Sequence, residues 1–319
     1  MRAILIDDFG GRDRMRLADD AADPLVGPDT VLVRVRAAGV NPVDHLIREG
    51  ALTSYYPHVL PIVLGWDAAG VVEAVGPAVT AFAPGDEVYG YFRKDFVRDG
   101  TYAELTNMRD TALARKPATL SFEEAAGVPL AGLTALQTLR DALELQRGET
   151  ILIVGASGGV GSFAVQIAKA GGARVIGVAS ARNADYVREL GADAVVDYAA
   201  PDALDAVRDA APDGLEAIAD LSGGELATQA IELLIPGRGR LASIIAPPDP
   251  APLEARGCAA RYLFVRPDAE DLRTLAAMAD AGELRVHLDA VFALDEAADA
   301  LARVEEGHPR GKVVLRVGQ

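Results

Sequence analysis

The stretch Gly155-Ala156-Ser157-Gly158-Gly159-Val160-Gly161 decides the fold. It follows the continuous apolar run Thr150–Val154 and opens residues 160–170, which have helical character. An unbroken apolar run suits a central parallel strand, because both of its faces are covered. A glycine-rich turn between such a strand and a helix brings backbone close to a bound phosphate. The helix start offers unsatisfied N–H groups and the positive end of its dipole. Gly158 is read as the residue that lets backbone approach a pyrophosphate, and Gly161 as the one that permits close packing of helix on strand. Ala156 replaces the usual first glycine after Gly155. A ligand-free structural turn is the other reading, but the flanking strand and helix favour dinucleotide binding.

Beyond the motif, strand-like and helix-like segments alternate. Strands are predicted at 174–179, 194–197, 217–221 and 240–245, and helices at 183–190, 202–210 and 225–234. This order predicts a doubly wound parallel sheet of Rossmann type. Residues 247–252, rich in proline, are read as a rigid loop. A strand at 262–265, a helix at 268–281 and a last strand at 313–317 follow, the last expected to return to the N-terminal region.

The second strand decides which dinucleotide. NAD enzymes commonly end it with an acid that bonds the ribose 2′-OH. Here it runs Val178-Ala179-Ser180-Ala181-Arg182, without an acid. Arg182 can pair with a 2′-phosphate, Ser180 can donate to it, and Tyr198 after the third strand can reach the same group. The alternative is that Ser180 and Arg182 merely begin and solvate the next helix. The reading is NADPH.

Toward the N-terminus the pattern changes to strands and turns. Residues 31–37 and 71–75 alternate like half-buried strands, and Pro84-Gly85-Asp86 turns into a strand at 87–89. The glycine density up to about residue 120 suits a compact barrel. Ser121 and Glu124 form a capping-box pattern that opens a helix near 123–127.

Composition narrows the function classes. A net charge of −16 excludes a nucleic-acid partner, whose phosphates need a basic face, and argues against anionic membrane surfaces. No apolar run approaches the roughly 20 residues of a membrane span. Met1-Arg2-Ala3-Ile4-Leu5-Ile6-Asp7-Asp8 meets acid too early for a signal peptide and reads as a strand. The single cysteine, Cys258, cannot form an internal disulfide, and a cytoplasmic location is expected.

Several further stretches carry a resemblance. Ala37-Ala38-Gly39-Val40-Asn41-Pro42-Val43-Asp44 strongly resembles the medium-chain dehydrogenase/reductase superfamily, in particular its zinc-free quinone-oxidoreductase branch. Gly65-Trp66-Asp67-Ala68-Ala69-Gly70, Pro84–Val88, Gly132-Leu133-Thr134-Ala135 and Arg310-Gly311-Lys312-Val313 are similar in the same order. The resemblance implies a GroES-like β-rich catalytic domain, residues 1–121 and 257–319, around a Rossmann NADPH-binding domain, residues 122–256. It also implies NADPH in the cleft between them.

Zinc-dependent relatives carry a cysteine where Asn41 stands and a histidine where Trp66 stands, so no metal is expected. His45, His58, His287 and His308 show no ligand spacing. By resemblance, the catalytic candidates are Asn41, Tyr55 and Asp44. Tyr56 is the alternative phenol, and Asp44 either orients Asn41 or caps a local turn. The cofactor candidates are Thr134, Ser157, Gly158, Gly159, Val160, Ser180, Arg182, Tyr198 and Lys312. Thr134 is expected to open a helix, its other reading being back-bonding within that helix. Lys312 has a surface ion pair as its other reading.

Without a Lewis acid, hydride addition to a quinone or another conjugated carbonyl needs less activation than alcohol oxidation. Two alternatives stand beside that reading: an enoyl or 2-alkenal double-bond reductase of the same fold, and a non-catalytic NADPH-binding structural protein. A homodimer through the Rossmann sheet edge near 262–265 is expected.

Overall fold

The computed structural model describes residues 1–307 and 309–318. His308, one of the four histidines considered above, lies outside them. The chain forms two units, Met1–Leu133 with Arg266–Gln319, and Thr134–Val265.

The second unit contains six parallel strands. In sheet order they are Ala194–Asp197, Arg174–Ala179, Thr150–Val154, Ala217–Asp220, Arg240–Ser243 and Ala259–Tyr262. The strand order is third, second, first, fourth, fifth, sixth, the doubly wound arrangement. Ile151, Leu152, Ile153 and Val154 are all buried, as the apolar run requires. The predicted strands 174–179 and 194–197 appear with the same bounds. The sixth strand begins three residues before its predicted start, since Arg240 pairs with Ala259 and Ser243 with Tyr262. It therefore belongs to this sheet, and the unit begins and ends later than the expected 122–256. The proline-rich loop is shorter than expected, because Pro250 caps a one-turn helix, Ala251–Glu254.

The first unit holds two sheets. One has the order Met15–Ala18, Ala3–Ile6, His58–Val63, Val97–Asp99. The other runs Leu288–Ala293, Lys312–Arg316, Thr30–Val40, Asp67–Val75, Glu87–Tyr91, Leu113–Arg115, with Leu105–Arg109 also pairing to Thr30–Val40. This is the GroES-like architecture. The last strand does return: it pairs antiparallel with Thr30–Val40. Ser121 caps the helix Phe122–Ala126, its hydroxyl accepting from the Glu124 N–H at 3.1 Å while the Glu124 carboxylate accepts from the Ser121 N–H at 2.8 Å.

Pattern reading missed the helix Pro42–Arg48. Its proline is the first helical residue, where the absent N–H costs nothing and the fixed φ suits the helix. A local turn capped by Asp44 was one of the two readings there.

Candidate active site

The phosphate cradle is local. The helix Gly159–Ala170 starts immediately after Gly158, whose φ of −78° and ψ of −177° leave it extended. A Cβ on Gly158 would meet only the Gly155 carbonyl, at 3.5 Å, so the space over that backbone is open. A Cβ on Gly161 would stand 2.0 Å from the Gly155 carbonyl oxygen and 2.7 Å from the Ala156 Cα. Only glycine permits that approach of helix to turn. The cradle fits a bound pyrophosphate: open backbone, a twelve-residue helix pointing its N-terminus there, and no side chain in the way.

The residues expected around a ribose 2′-phosphate come together at the same carboxyl edge. Val154 pairs with Val178, and Ala179 pairs with Asp197. Ser180 and Tyr198 therefore follow directly from neighbouring strand ends. The Asn183 amide donates to Ser157 Oγ at 3.1 Å, tying this segment to the glycine loop. Arg182 is exposed and forms no ion pair with the described residues, and Tyr198 is 53% exposed. Gly159 and Val160 form the first turn of the helix. Thr134 differs from expectation. It lies buried in the middle of the helix Pro129–Gln137 rather than at its start, and its carbonyl accepts from Thr138 Oγ1 at 2.7 Å.

A different kind of site lies in the first unit. Three neighbouring strands bring their ends together. Val313 stands opposite Val40, which sets Lys312 beside Asn41, and Gly39 stands opposite Asp67. Asn41 Nδ2 donates to Asp67 Oδ2 at 2.9 Å. The Lys312 ammonium donates to Asn41 Oδ1 and, at 3.3 Å, to the Val40 carbonyl. The other Asp67 oxygen accepts from the Leu130 N–H at 2.9 Å. Asp44 Oδ2 accepts from the Asn41 N–H at 2.8 Å and from the Tyr102 hydroxyl at 2.7 Å. All five side chains are buried, Asn41 at 1% exposure and Lys312 at 4%.

Burial dominates the electrostatics here. It pushes the Asp44 carboxyl up to about 7 and the Asp67 carboxyl up to about 6. Burial likewise lowers the Lys312 ammonium, against the pull of Asp67 and Asp44, and raises the Tyr102 phenol. Each ionised group is disfavoured by desolvation and tolerated through its partners.

Two residues assigned from the sequence lie in surroundings other than those expected. Lys312 is not a surface residue: the strand pairing buries it against Asn41, and its ammonium is given to Asn41 Oδ1 and the Val40 carbonyl. Tyr55 is 70% exposed, in the turns that precede His58–Val63. Tyr56 is the phenol that packs inward, its ring edge-on to Trp66 at 5.8 Å with the Arg93 guanidinium 5.9 Å away. Trp66 also meets Tyr91 at 6.0 Å. Asp44 holds the first turn of the helix Pro42–Arg48 to Asn41, combining both roles considered for it. Asp67 and Tyr102 were missed. A lone acid at the start of the apolar strand Asp67–Val75 was the available sign of Asp67, whereas nothing local marked Tyr102.

Among the described residues, no three His, Cys, Asp or Glu side chains gather as metal ligands, and no helix is long and apolar enough to cross a membrane.

Comparison with known proteins adds to this picture. An alcohol dehydrogenase GroES-like domain family matches residues 27–118, and a zinc-binding dehydrogenase family matches residues 190–315. The mitochondrial NAD(P)H oxidoreductase RTN4IP1 of Danio rerio is 32% identical over 357 aligned positions, covering 99% of this chain and 91% of that protein. The chloroplastic NADPH-dependent alkenal/one oxidoreductase of Arabidopsis thaliana is 32% identical, covering 99% of this chain and 79% of its own length. The quinone oxidoreductase structure from Coxiella burnetii superimposes with a TM-score of 0.87 at 33% identity, covering 100% of this chain and 99% of that one.

Proposed function

The chain belongs to the zinc-independent quinone-oxidoreductase branch of the medium-chain dehydrogenase/reductase superfamily, and from that premise we propose that it is an NADPH-dependent reductase of quinones or other conjugated carbonyls. The observation that carries this reading is the carboxyl edge of the Rossmann sheet. Its second strand ends at Ala179 without an acid, and Ser180, exposed Arg182 and Tyr198 follow from adjacent strand ends. An acid there would repel a 2′-phosphate, whereas a guanidinium attracts it.

Bound NADPH supplies the hydride. The chain's own residues hold and orient. Gly158, Gly159 and Val160 offer backbone to the pyrophosphate, while Ser157 is held by Asn183 beside them. In the catalytic unit, Asn41 retains a second amide N–H beyond the one given to Asp67. That N–H is the donor we assign to the acceptor oxygen, where negative charge develops as hydride arrives at the conjugated carbon. Asp44 fixes the Asn41 backbone. Trp66, packed among Tyr56 and Tyr91, makes that side of the unit aromatic, in keeping with a planar conjugated acceptor.

A homodimer joined through Ala259–Tyr262, the outermost strand of the six-stranded sheet, is proposed. Light scattering at micromolar concentration checks it, and a clean monomer overturns it.

The test of function is anaerobic NADPH oxidation against a panel of quinones, enones and 2-alkenals, with parallel titration of NADPH and NADH. Turnover with at least one acceptor class and at least roughly tenfold tighter NADPH binding are expected, the latter from one charged hydrogen bond. Tight NADPH binding with no acceptor reduced would make the chain a binding protein. Equal affinity for the two cofactors would end the Arg182 assignment.

A further inference from the structure

Asn41 is the one carboxamide in the buried cluster, and a carboxamide has two chemically opposite ends. Its orientation is ambiguous wherever both neighbours can donate and accept. Here they cannot. Lys312 carries an ammonium, which has donors only, and it meets Oδ1. Asp67 carries a carboxyl, which accepts when ionised, and it meets Nδ2 at 2.9 Å. A flipped amide would set Nδ2 against the ammonium and Oδ1 against the carboxylate, two repulsive contacts among side chains buried from solvent.

The two flanking groups are themselves fixed. Lys312 is held by strand register and by a second bond to the Val40 carbonyl at 3.3 Å. Asp67 is held by its own strand and by the Leu130 N–H at 2.9 Å, at the first turn of the helix Pro129–Gln137. The carboxamide thus sits between a cation and an anion that approach from two different neighbouring strands. A cation on Oδ1 draws electron density from the amide, and hydrogen bonds in such a chain polarise one another. The remaining N–H becomes a stronger donor than an isolated amide.

We propose that Lys312 and Asp67 are positioning residues that lock and polarise the Asn41 carboxamide, so that Asn41 meets an acceptor with N–H and never with its carbonyl. Lys312 therefore serves the acceptor side of the reaction rather than the cofactor phosphate. The inference rests on the reading of Asn41 as the donor to the acceptor oxygen, but the lock itself is a property of the unliganded chain.

Two independent arms test it. The first is side-chain amide NMR of the full chain labelled on asparagine nitrogen, the Asn41 pair being assigned by its loss in Asn41→Asp. In wild type the two Asn41 protons should be widely separated and slow to exchange, because one is bonded to a carboxylate and both are buried from solvent. Lys312→Met, which keeps the aliphatic stem, should move the pair toward the position of exposed amides. Lys312→Arg should restore it in part.

The second arm is steady-state kinetics with an acceptor that wild type reduces. Lys312→Met should lower kcat by about a hundredfold, the scale of a misplaced catalytic group, while the dissociation constant for NADPH stays within twofold. Lys312→Arg should recover most of the loss, and Asp67→Asn should resemble Lys312→Met.

An unshifted Asn41 pair in Lys312→Met overturns the lock. A shifted pair with unchanged kcat overturns its role in the reaction. A Lys312→Met variant that binds NADPH at least tenfold more weakly returns Lys312 to the cofactor. If wild type reduces no acceptor, the functional reading fails, and the NMR arm still decides the lock.

Discussion

The carboxyl edge of the Rossmann sheet and the polar cluster of the catalytic unit are built on opposite plans. At the sheet edge the polar groups are open. Arg182 and Tyr198 face solvent, Gly158 leaves backbone uncovered, and the parts come from two short spans, 155–161 and 180–198. In the cluster the polar side chains are buried and bonded to one another, and its members run from Asn41 to Lys312. An exposed cation waits for a ligand to supply its partner, so its loss should be felt when the ligand binds. A buried ion loses solvation at once and must find partners within the fold, so its loss should be felt in stability and in pH dependence.

The largest effect expected is on the glycine turn. Gly161→Ala sets a methyl 2.0 Å from the Gly155 carbonyl oxygen, and backbone must move to admit it. Overpacking against fixed backbone should cost about 3 kcal/mol, read as a lower urea midpoint with an unchanged slope. A stable variant would mean that the turn yields more easily than the geometry indicates.

Next comes Arg182→Ala. Losing one charge-assisted hydrogen bond should weaken NADPH binding by about 1.5–3 kcal/mol, roughly one to two decades. NADH affinity and thermal stability should hold, because the guanidinium is exposed and makes no ion pair with the described residues. A fall in stability of similar size would erase the contrast between the two regions.

Asp44→Asn probes the buried side. The folded-state value for Asp44, about 7, lies above its ordinary 3.8 because burial disfavours the charge. The folded chain thus holds a proton that the unfolded chain has already released. The stabilisation is complete below the ordinary carboxylate range and is lost as pH rises through about 7. Asp67 adds in the same sense, while the Lys312 ammonium and the bonds from Asn41 and Tyr102 work against it. Wild type should therefore lose stability relative to Asp44→Asn between pH 5 and pH 8, by on the order of 1 kcal/mol. Thermal melts of both across that range check it. Parallel curves would show that Asp44 does not titrate there.

The smallest effect belongs to Tyr55→Phe. A phenol this exposed should contribute within about 0.5 kcal/mol to stability, and turnover should stay within twofold. A large loss of kcat would restore the sequence-based choice of Tyr55.

The sheet edge was legible in the sequence because its chemistry is local. The strand–turn–helix order, the absence of an acid after Val178 and the positions of Arg182 and Tyr198 can be read along the chain, since a parallel sheet aligns consecutive strand ends. The cluster was legible only in part. Asn41 and Asp44 stood out as neighbours, but Asp67 looked like part of a strand and Tyr102 like part of a loop. Lys312 was recognised as significant but its burial was not, because a lysine carries no sign of it.

The sequence by itself determined the two-part α/β organisation, the glycine turn between the first strand and helix of the Rossmann sheet, and the placing of Ser180, Arg182 and Tyr198 at one edge of that sheet. Each depends on spacing within a few residues or on the order of successive elements. Tertiary structure alone decided that Lys312 and Asp67 close on the Asn41 carboxamide from either side, and that Tyr56 rather than Tyr55 turns inward. The first of those outcomes follows from the register of three strands that are not consecutive in the chain. Register is fixed by pairing across the sheet, which no single stretch of sequence contains.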